Sequence, residues 1–163
     1  SGTGIGDIGN NEYWSACKVI TSGEIECSSL SIYISPYVAG TPIGDLILRL
    51  ETDNATKPSN SLVHDNATVT IPNASVVVDA WNKVNFTPFT LAAGTYWTVG
   101  RDSSVEATDA RFHWATKSTG GTNSRGYTSD SGVNWIIDAY LPYYRLYKFI
   151  AEGGTLDLTS KMW

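Results

Sequence analysis

Apolar and polar residues alternate over much of this chain. Leu30, Ile32 and Ile34 alternate with three serines and a tyrosine between residues 29 and 35, and the segment DLILRLE at 45–51 alternates in the same way. A period of two residues places successive side chains on opposite faces of a β-strand. Each segment therefore predicts a strand with one buried face and one solvent-facing face.

The same kind of signal recurs to the end of the chain. Short strand-like segments stand at 68–71, 75–78, 83–86, 94–100, 111–116, 134–138 and 143–150, while 53–61 and 117–132 have loop composition, with a short strand near Tyr127. Turn signals separate the segments at intervals of about 8–12 residues, which is typical of sandwiches and barrels. We predict an all-β, antiparallel two-sheet β-sandwich, jelly-roll-like, with about ten short strands over residues 12–149.

The segment CKVITSGEIEC at 17–27 predicts a β-hairpin with a three-residue Thr-Ser-Gly loop. In that register Val19 faces Ile25 and Cys17 faces Cys27. Opposed Cβ atoms lie about 4.5–5.5 Å apart, so the pair could form a disulfide; the other reading is two buried free thiols. A disulfide would place the protein outside a reducing cytosol. The spacing does not favour a metal site, because no CxxC occurs and no histidine is near.

The two ends of the chain stand apart from this pattern. Residues 1–11 are Gly-rich and predict an extended N-terminal arm, and residues 150–163 predict a C-terminal tail strand after a Gly-Gly break. Each end either lies along its own domain or contacts a neighbouring subunit, the tail by adding a strand to a sheet edge. The residues expected to make such assembly contacts are Ile5, Ile8, Leu156, Leu158 and Trp163.

Composition supports a surface module of secreted type. Ser (17) and Thr (18) make up 35 of the 163 residues, and charged residues make up 17%, against roughly 25% in an average soluble protein. The aromatic content of 12% is too high for a disordered chain.

Charge and hydropathy exclude two classes of partner. The net charge is −5, and none of the 11 Lys and Arg residues is adjacent to another. Because phosphate contacts need clustered basic residues, we expect no nucleic-acid binding. No run of about 18 apolar residues occurs, so we expect no membrane insertion.

Three stretches resemble a known family. PIGDLILRLETDNATKPSNSLV has a strand of alternating aliphatic residues followed by a D-x-x-x-x-P-S loop, and WNKVNFTPFTLAAGTYWTVG resembles its companion W-x-x-V-x-F-x-P-x-x-L-x-x-G-T-x-Y-W. RFHWAT, GYTSDSGVNW and YYRLYKF resemble the closing strands. The family comprises jelly-roll-like β-sandwich surface domains of anchored bacterial proteins, glycan-binding appendages and phage fibres. The resemblance covers about residues 12–149, mostly turns and core, and it implies fold more than function.

Catalytic chemistry has little support in the sequence. His64 and His113 are the two histidines, and neither a G-x-S-x-G nor an HExxH motif occurs. A glycosidase would need two carboxylates facing a cleft. The acidic residues that could supply such a pair are Glu106, Asp109, Asp130 and Asp138.

No cofactor is required by these patterns, but a structural calcium is one option that the resemblance implies. Calcium prefers clustered oxygen ligands. The candidate positions are Asp53 with Asn54, Asp65 with Asn66, and Asp102 with Asp109. The other reading is that these residues favour turns.

Sugar recognition needs flat aromatic rings beside a few fixed polar groups. On RFHWAT, Arg111 and His113 share the solvent-facing side, while Trp135 and Tyr127 flank a loop and could form a platform. Alternatively, both rings pack beneath the loop at 117–132. The candidate ligand-binding residues are Arg111, His113, Tyr127, Asp130, Asn134 and Trp135.

Four N-x-[ST] sequons occur, at Asn54, Asn66, Asn73 and Asn85. Asn54 and Asn66 lie in predicted loops and are the candidate glycosylation sites of an extracytoplasmic protein. A chain this rich in Ser and Thr also produces sequons by chance.

These observations favour a non-catalytic extracellular, cell-surface or virion module. We expect it to act in assembly and attachment, as a subunit of a fibre, filament or decoration layer, with neighbouring copies of itself or other surface subunits as partners. A carbohydrate-binding module that recognises a glycan is the alternative, and a small glycan-active hydrolase is a further one.

Overall fold

The computed structural model describes residues 2–8, 11–36, 42–103, 111–117, 125–150 and 154–157. Within these ranges the chain forms β-strands and one 3-10 turn, Asn73–Ser75, and no α-helix. The strands of the first half are β1 (Gly2–Ile8), β2 (Asn11–Thr21), β3 (Ile25–Ser35), β4 (Leu46–Asn54), β5 (Lys57–Leu62), β6 (Thr68–Ile71) and β7 (Ala80–Leu91). Those of the second half are β8 (Gly94–Asp102), β9 (Arg111–Lys117), β10 (Arg125–Thr128), β11 (Ile136–Asp138), β12 (Leu141–Pro142), β13 (Tyr144–Ile150) and β14 (Gly154–Asp157).

These strands form two antiparallel sheets. In the first sheet β3 is central: it pairs with β7 on one side, and on the other with β13 and, at its own end, with the middle of β9. β14 pairs with β13, and β1 with β9. In the second sheet the order is β4, β8, β2, β10, β11, with β5 and β6 both paired to β4. The all-β two-sheet sandwich is therefore confirmed.

The main core lies between the sheets, and the alternation in the sequence identifies its members. Leu46, Leu48 and Leu50 of β4 are fully buried, and they pack in one cluster with inward residues of the opposite sheet, including Leu30, Ile32 and Ile34 of β3 and Phe112 and Trp114 of β9. Burial of aliphatic and aromatic surface on this scale is the main force that holds the two sheets together.

The hairpin predicted at 17–27 is wrong. β2 pairs with β8, so that Val19 lies opposite Tyr96, whereas β3 pairs with β7, so that Ile25 lies opposite Leu91. The turn after β2 thus carries the chain from one sheet to the other instead of closing a hairpin. The predicted register fails because a Gly-containing turn permits either path, and the choice depends on strands remote in sequence.

The disulfide that this register suggested is absent from the structure. Cys17 and Cys27 are free and buried, and both belong to the core cluster between the sheets. Removal from water penalises the thiolate, so burial raises the pKa of Cys17 far above its ordinary value and that of Cys27 to about 12. The structure thus supports the reading of two buried thiols and leaves no disulfide argument for an oxidising compartment.

Two further segments differ from prediction. The loop expected at 53–61 contains the end of β4 and all but the last residue of β5, joined by a tight turn in which Ala55 and Thr56 have φ of 50° and 72°. The strand expected at 75–78 is not formed, because Asn73–Ser75 makes a 3-10 turn after Pro72. The segment that became β5 forms a strand despite its polar composition because it pairs with β4.

The termini that the structure describes pair with their own chain. β1, within the predicted arm at 1–11, pairs with β9 along Gly2–Gly6 and with β2 at Gly6–Ile8, and so joins the edges of the two sheets. β14, within the predicted tail, pairs with β13. Ile5, Ile8 and Leu156 lie on these strands, whereas Leu158 and Trp163 lie outside the described residues.

Candidate binding site

The six predicted ligand-binding residues fall into two separate places. Arg111 and His113 lie on β9 of the first sheet, whereas the other four lie on or after β10, beside the second sheet. They do not form one site. The second group comprises Tyr127 in β10 and Asp130, Asn134 and Trp135 in the segment that leads to β11.

Asp130 and Asn134 are hydrogen-bonded to each other. The backbone N–H and the side-chain amide of Asn134 donate to the Asp130 carboxylate at 2.9 and 2.7 Å, and the Thr128 hydroxyl donates to it as well. These bonds hold the pKa of Asp130 below its ordinary value, the Thr128 hydroxyl having the largest effect. We call residues 129–135 the capping turn, since this bonding closes it.

Trp135, the last residue of that turn, packs on the outer face of the second sheet. Its ring lies edge-on to Trp14, with 6.4 Å between centroids. Trp135 and Ile137 cover a second cluster on the outer face of the second sheet. The buried members of that cluster are Trp14, Ala16, Trp97 and Val99.

The sequence did not identify this outer cluster, because the pattern that marks it is one of burial, which only the structure shows. Consecutive residues of β2 and β8 are buried, among them Trp14–Cys17 and Trp97–Gly100. A run of buried residues without alternation indicates a strand covered on both faces. The outer face also carries Lys18, whose Nζ lies 5.3 Å from the Trp97 ring centroid, and Arg101, whose Cζ lies 5.1 Å from that of Trp14.

Arg111 and His113 lie along β1. They stand opposite Gly6 and Gly4, which have no side chains. The Arg111 guanidinium lies 4.4 Å from the ring centroid of Tyr13, which is opposite Gly6 on the other side of β1. Burial and the nearby Arg111 charge lower the pKa of His113, so its imidazole is mainly neutral at pH 7.

A partly exposed group of binding-type side chains lies at the β10–β11 edge. We call it the edge cluster: Arg125, Tyr127, Ile136, Asp138 and Tyr140. Antiparallel pairing sets Arg125 opposite Asp138 and Tyr127 opposite Ile136, so these four side chains share one face. Ile136 is 55% exposed and Tyr140 38% exposed.

Arg125 organises the edge cluster. Its guanidinium carbon lies 5.0 Å from the Tyr127 ring centroid and 4.4 Å from that of Tyr140. Nε donates to Asp138 Oδ1 at 2.9 Å and Nη2 donates to Oδ2, a bidentate pair. Asp138 Oδ1 also accepts the backbone N–H of Tyr140 at 3.1 Å. A guanidinium has five N–H donors, so three remain for another acceptor. Of these residues the sequence identified Tyr127 as a binding residue and Asp138 only as a carboxylate.

The candidate carboxylates and metal ligands that the structure describes do not come together in one site. Asp130 and Asp138 have the partners given above, and Glu106 and Asp109 lie outside the described residues. Asp53 accepts from the Trp97 indole N–H at 2.7 Å and from the backbone of Thr56. In the described ranges, no three His, Cys, Asp or Glu residues come together where a metal ion could be held.

The two predicted glycosylation sites lie in turns. Asn54 is exposed at the end of β4, and Asn66 is half-buried, with its backbone N–H donating to His64 Nδ1 at 3.0 Å. Whether either carries a glycan stays a prediction.

Comparison with family models, curated proteins and solved structures found no match for this chain. Within the described part of the chain, no helix has the length and apolar character needed to span a bilayer.

Proposed function

We propose that this protein is a non-catalytic attachment module, displayed at an extracellular or virion surface, that binds a glycan at the edge cluster. The observation that carries the proposal is the position of Arg125 between the rings of Tyr127 and Tyr140, fixed there by Asp138.

The chemistry of the edge cluster matches that of a sugar. A pyranose has an apolar C–H face, which stacks on aromatic rings, and a rim of hydroxyls, which bond to fixed polar groups. Tyr140 and Ile136 supply exposed apolar surface, and Arg125 supplies free N–H donors. The Arg125 and Asp138 charges cancel, which suits a neutral ligand.

The geometry also reduces the cost of binding. A free arginine side chain must give up rotamer freedom when it engages a ligand. Here the bidentate carboxylate and two rings already hold it. A site whose groups are fixed before the ligand arrives retains more of its contact energy as affinity.

A glycan array provides the test. Wild type, Tyr140→Ala and Arg125→Lys would be compared, with Ile43→Ala as a matched control that removes another exposed apolar side chain, 73% exposed, at a different place. We expect wild type and Ile43→Ala to bind the same glycans. We expect Tyr140→Ala to lose at least about tenfold in affinity, since an aromatic contact contributes on the order of 1.5 kcal/mol.

Arg125→Lys keeps the positive charge but cannot make the bidentate pair with Asp138. Weaker glycan binding by this variant would show that binding depends on the geometry of that pair and not on the charge alone. If folded wild type bound no glycan, or if Tyr140→Ala bound as well as wild type, the proposed site would be wrong.

Assembly is the second candidate function, and β14 is the observation that favours it. Every residue of β1 already pairs within its own chain, Gly2–Gly6 with β9 and Gly6–Ile8 with β2. β14, in contrast, pairs with β13 alone among the described strands. A one-sided edge strand can accept a strand from another copy.

Light scattering over a concentration series would test assembly, with full-length protein compared with a chain lacking residues 154–163. Concentration-dependent oligomers of the full chain that vanish on truncation would support it. A full chain that stays monomeric throughout would contradict it.

A further inference from the structure

Three buried N–H donors without acceptors lie on the outer face of the second sheet, apart from the edge cluster. They are Trp14 Nε1, Trp135 Nε1 and Arg101 Nε, and none of them has a hydrogen-bond partner among the residues that the structure describes. Trp14 as a whole is only 3% exposed. Buried polar groups are almost always bonded in folded proteins, so each exception needs an explanation.

The three donors belong to one place on the outer face of the second sheet. The Trp135 centroid is 6.4 Å from that of Trp14, and the Arg101 guanidinium carbon is 5.1 Å from the Trp14 centroid. Gly132 of the capping turn lies directly over the Trp14 ring, since a Cβ built on it would be 2.7 Å from Trp14 Cζ3. The turn thus packs on the six-membered ring of Trp14, beside the donors.

Nearby carboxylates are bonded to other groups. Asp53 accepts from Trp97, Asp130 accepts from Thr128 and Asn134, and Glu51 pairs with Arg49 at 3.0 Å. Within the described ranges Arg101 forms no ion pair. Arg101 thus has no carboxylate of the described residues in direct contact, and its charge acts on the buried Glu51 only from a longer distance, where it opposes the rise that burial causes in the pKa of that carboxyl.

We propose that this place is a binding site for one small carboxylate anion, held by the indole N–H groups of Trp14 and Trp135 and by the guanidinium of Arg101. Indole and guanidinium groups donate and cannot accept. A carboxylate accepts only, so it matches all three donors and neutralises the charge. A water molecule would satisfy one or two donors, but these three groups offer nothing to its own hydrogens.

The carboxylate could come from a sugar acid or from a free small anion, and the experiment separates these sources. In ¹⁵N-labelled protein, the indole N–H resonances report directly on the donors. Three probes would be titrated at constant ionic strength: sodium acetate, sodium glucuronate and neutral glucose. Trp97 is an internal reference, because its N–H already bonds to Asp53 at 2.7 Å.

We expect the Trp14 and Trp135 indole resonances to shift saturably with a carboxylate and not with glucose. Equal response to acetate and glucuronate identifies a site for free carboxylates, whereas response to glucuronate alone identifies a sugar acid. Arg101→Met should weaken binding at least about tenfold, because it removes a charged hydrogen bond. Lys18→Met is the matched control, as it removes the cation over Trp97 from the same face.

Trp135→Phe keeps the ring and removes one donor, so it tests the site even if Arg101→Met fails to fold. Failure of both carboxylates to shift the two resonances, or unchanged affinity in folded Arg101→Met, would overturn the proposal. Either failure leaves glycan binding at the edge cluster standing, since that site shares none of these three residues.

Discussion

Gly132 lies so close to Trp14 that any side chain there would force a shift: a Cβ atom at position 132 would be 2.7 Å from Cζ3 of the indole. The backbone of Gly132 also has φ of +84°, in the region that favours glycine. Both facts tie the capping turn to the outer tryptophan cluster.

Gly132→Ala should therefore destabilise the fold by about 1–3 kcal/mol, because it adds both a clash and backbone strain. Gly23→Ala is the control, since a Cβ there would meet nothing within 4 Å. Urea unfolding followed by tryptophan fluorescence measures both variants. Equal midpoints for the two would show that the turn does not rest on Trp14.

The buried Arg49–Glu51 pair gives a second prediction. The Glu51 side chain is fully buried; it contacts Arg49 Nε at 3.0 Å and accepts the Asn60 backbone N–H at 2.8 Å. Burial raises the pKa of Glu51, and the Arg49 charge opposes that rise. Arg49→Met leaves the carboxylate buried and unpaired, so we expect a loss of about 3–5 kcal/mol in the free energy of unfolding.

The double variant Arg49→Met with Glu51→Leu should recover most of that loss, because no buried charge remains. Equilibrium unfolding of the two single variants and the double variant completes the cycle. A double variant as unstable as the sum of the singles would show that the two side chains act independently.

Acid should open the capping turn. The pKa of Asp130 is lowered in the folded protein from its ordinary value of 3.8, so the folded state holds its proton less readily than the unfolded state. Its stabilising contribution is complete above that ordinary value and is lost as the pH falls through the lower folded value. We expect the Trp14 and Trp135 indole resonances to change on acidification in that window.

In Asp130→Ala, the Trp14 and Trp135 indole resonances should already have at neutral pH the positions that wild type shows in acid. Asp65→Ala, which removes an exposed carboxylate elsewhere, should not show this change. Identical acid titrations of Asp130→Ala and wild type would contradict the role given to this carboxylate.

The two cysteines should react as buried thiols. Burial raises the pKa of both, which suppresses the reactive thiolate. In protein purified without reductant, we expect almost no labelling by a thiol reagent in the folded state and two thiols per chain after unfolding. If the unfolded chain yielded no free thiols, Cys17 and Cys27 would be joined by a disulfide and the prediction would be wrong.

Particular residues show how far sequence reasoning reached. The alternation at Leu46, Leu48 and Leu50 correctly predicted a strand and its buried face. The Cys17–Cys27 register was wrong because the turn between β2 and β3 crosses between sheets. At the edge cluster, Tyr127 was identified as a binding residue, but Arg125 and Tyr140 were not. Their contacts arise from the pairing of β10 with β11 and from a chain reversal after it.

The position of Trp135 could not be decided from the sequence alone. In the sequence both an exposed platform and packing were open to it, and only the position of Trp14, on a distant strand, makes it part of a covered cluster. Local composition cannot reveal which outer faces are covered, because the covering segment comes from elsewhere in the chain.

The sequence by itself determined that this protein is all-β and which residues of many strands face the core, because alternation follows from strand geometry alone. The tertiary structure decided which strands pair, where the chain changes sheet, and which aromatic rings on the outer faces are buried or exposed. Those outcomes depend on hydrogen-bonded ladders and apolar contacts between residues far apart in the chain. The residues of a single segment do not specify which other segments it will pair with.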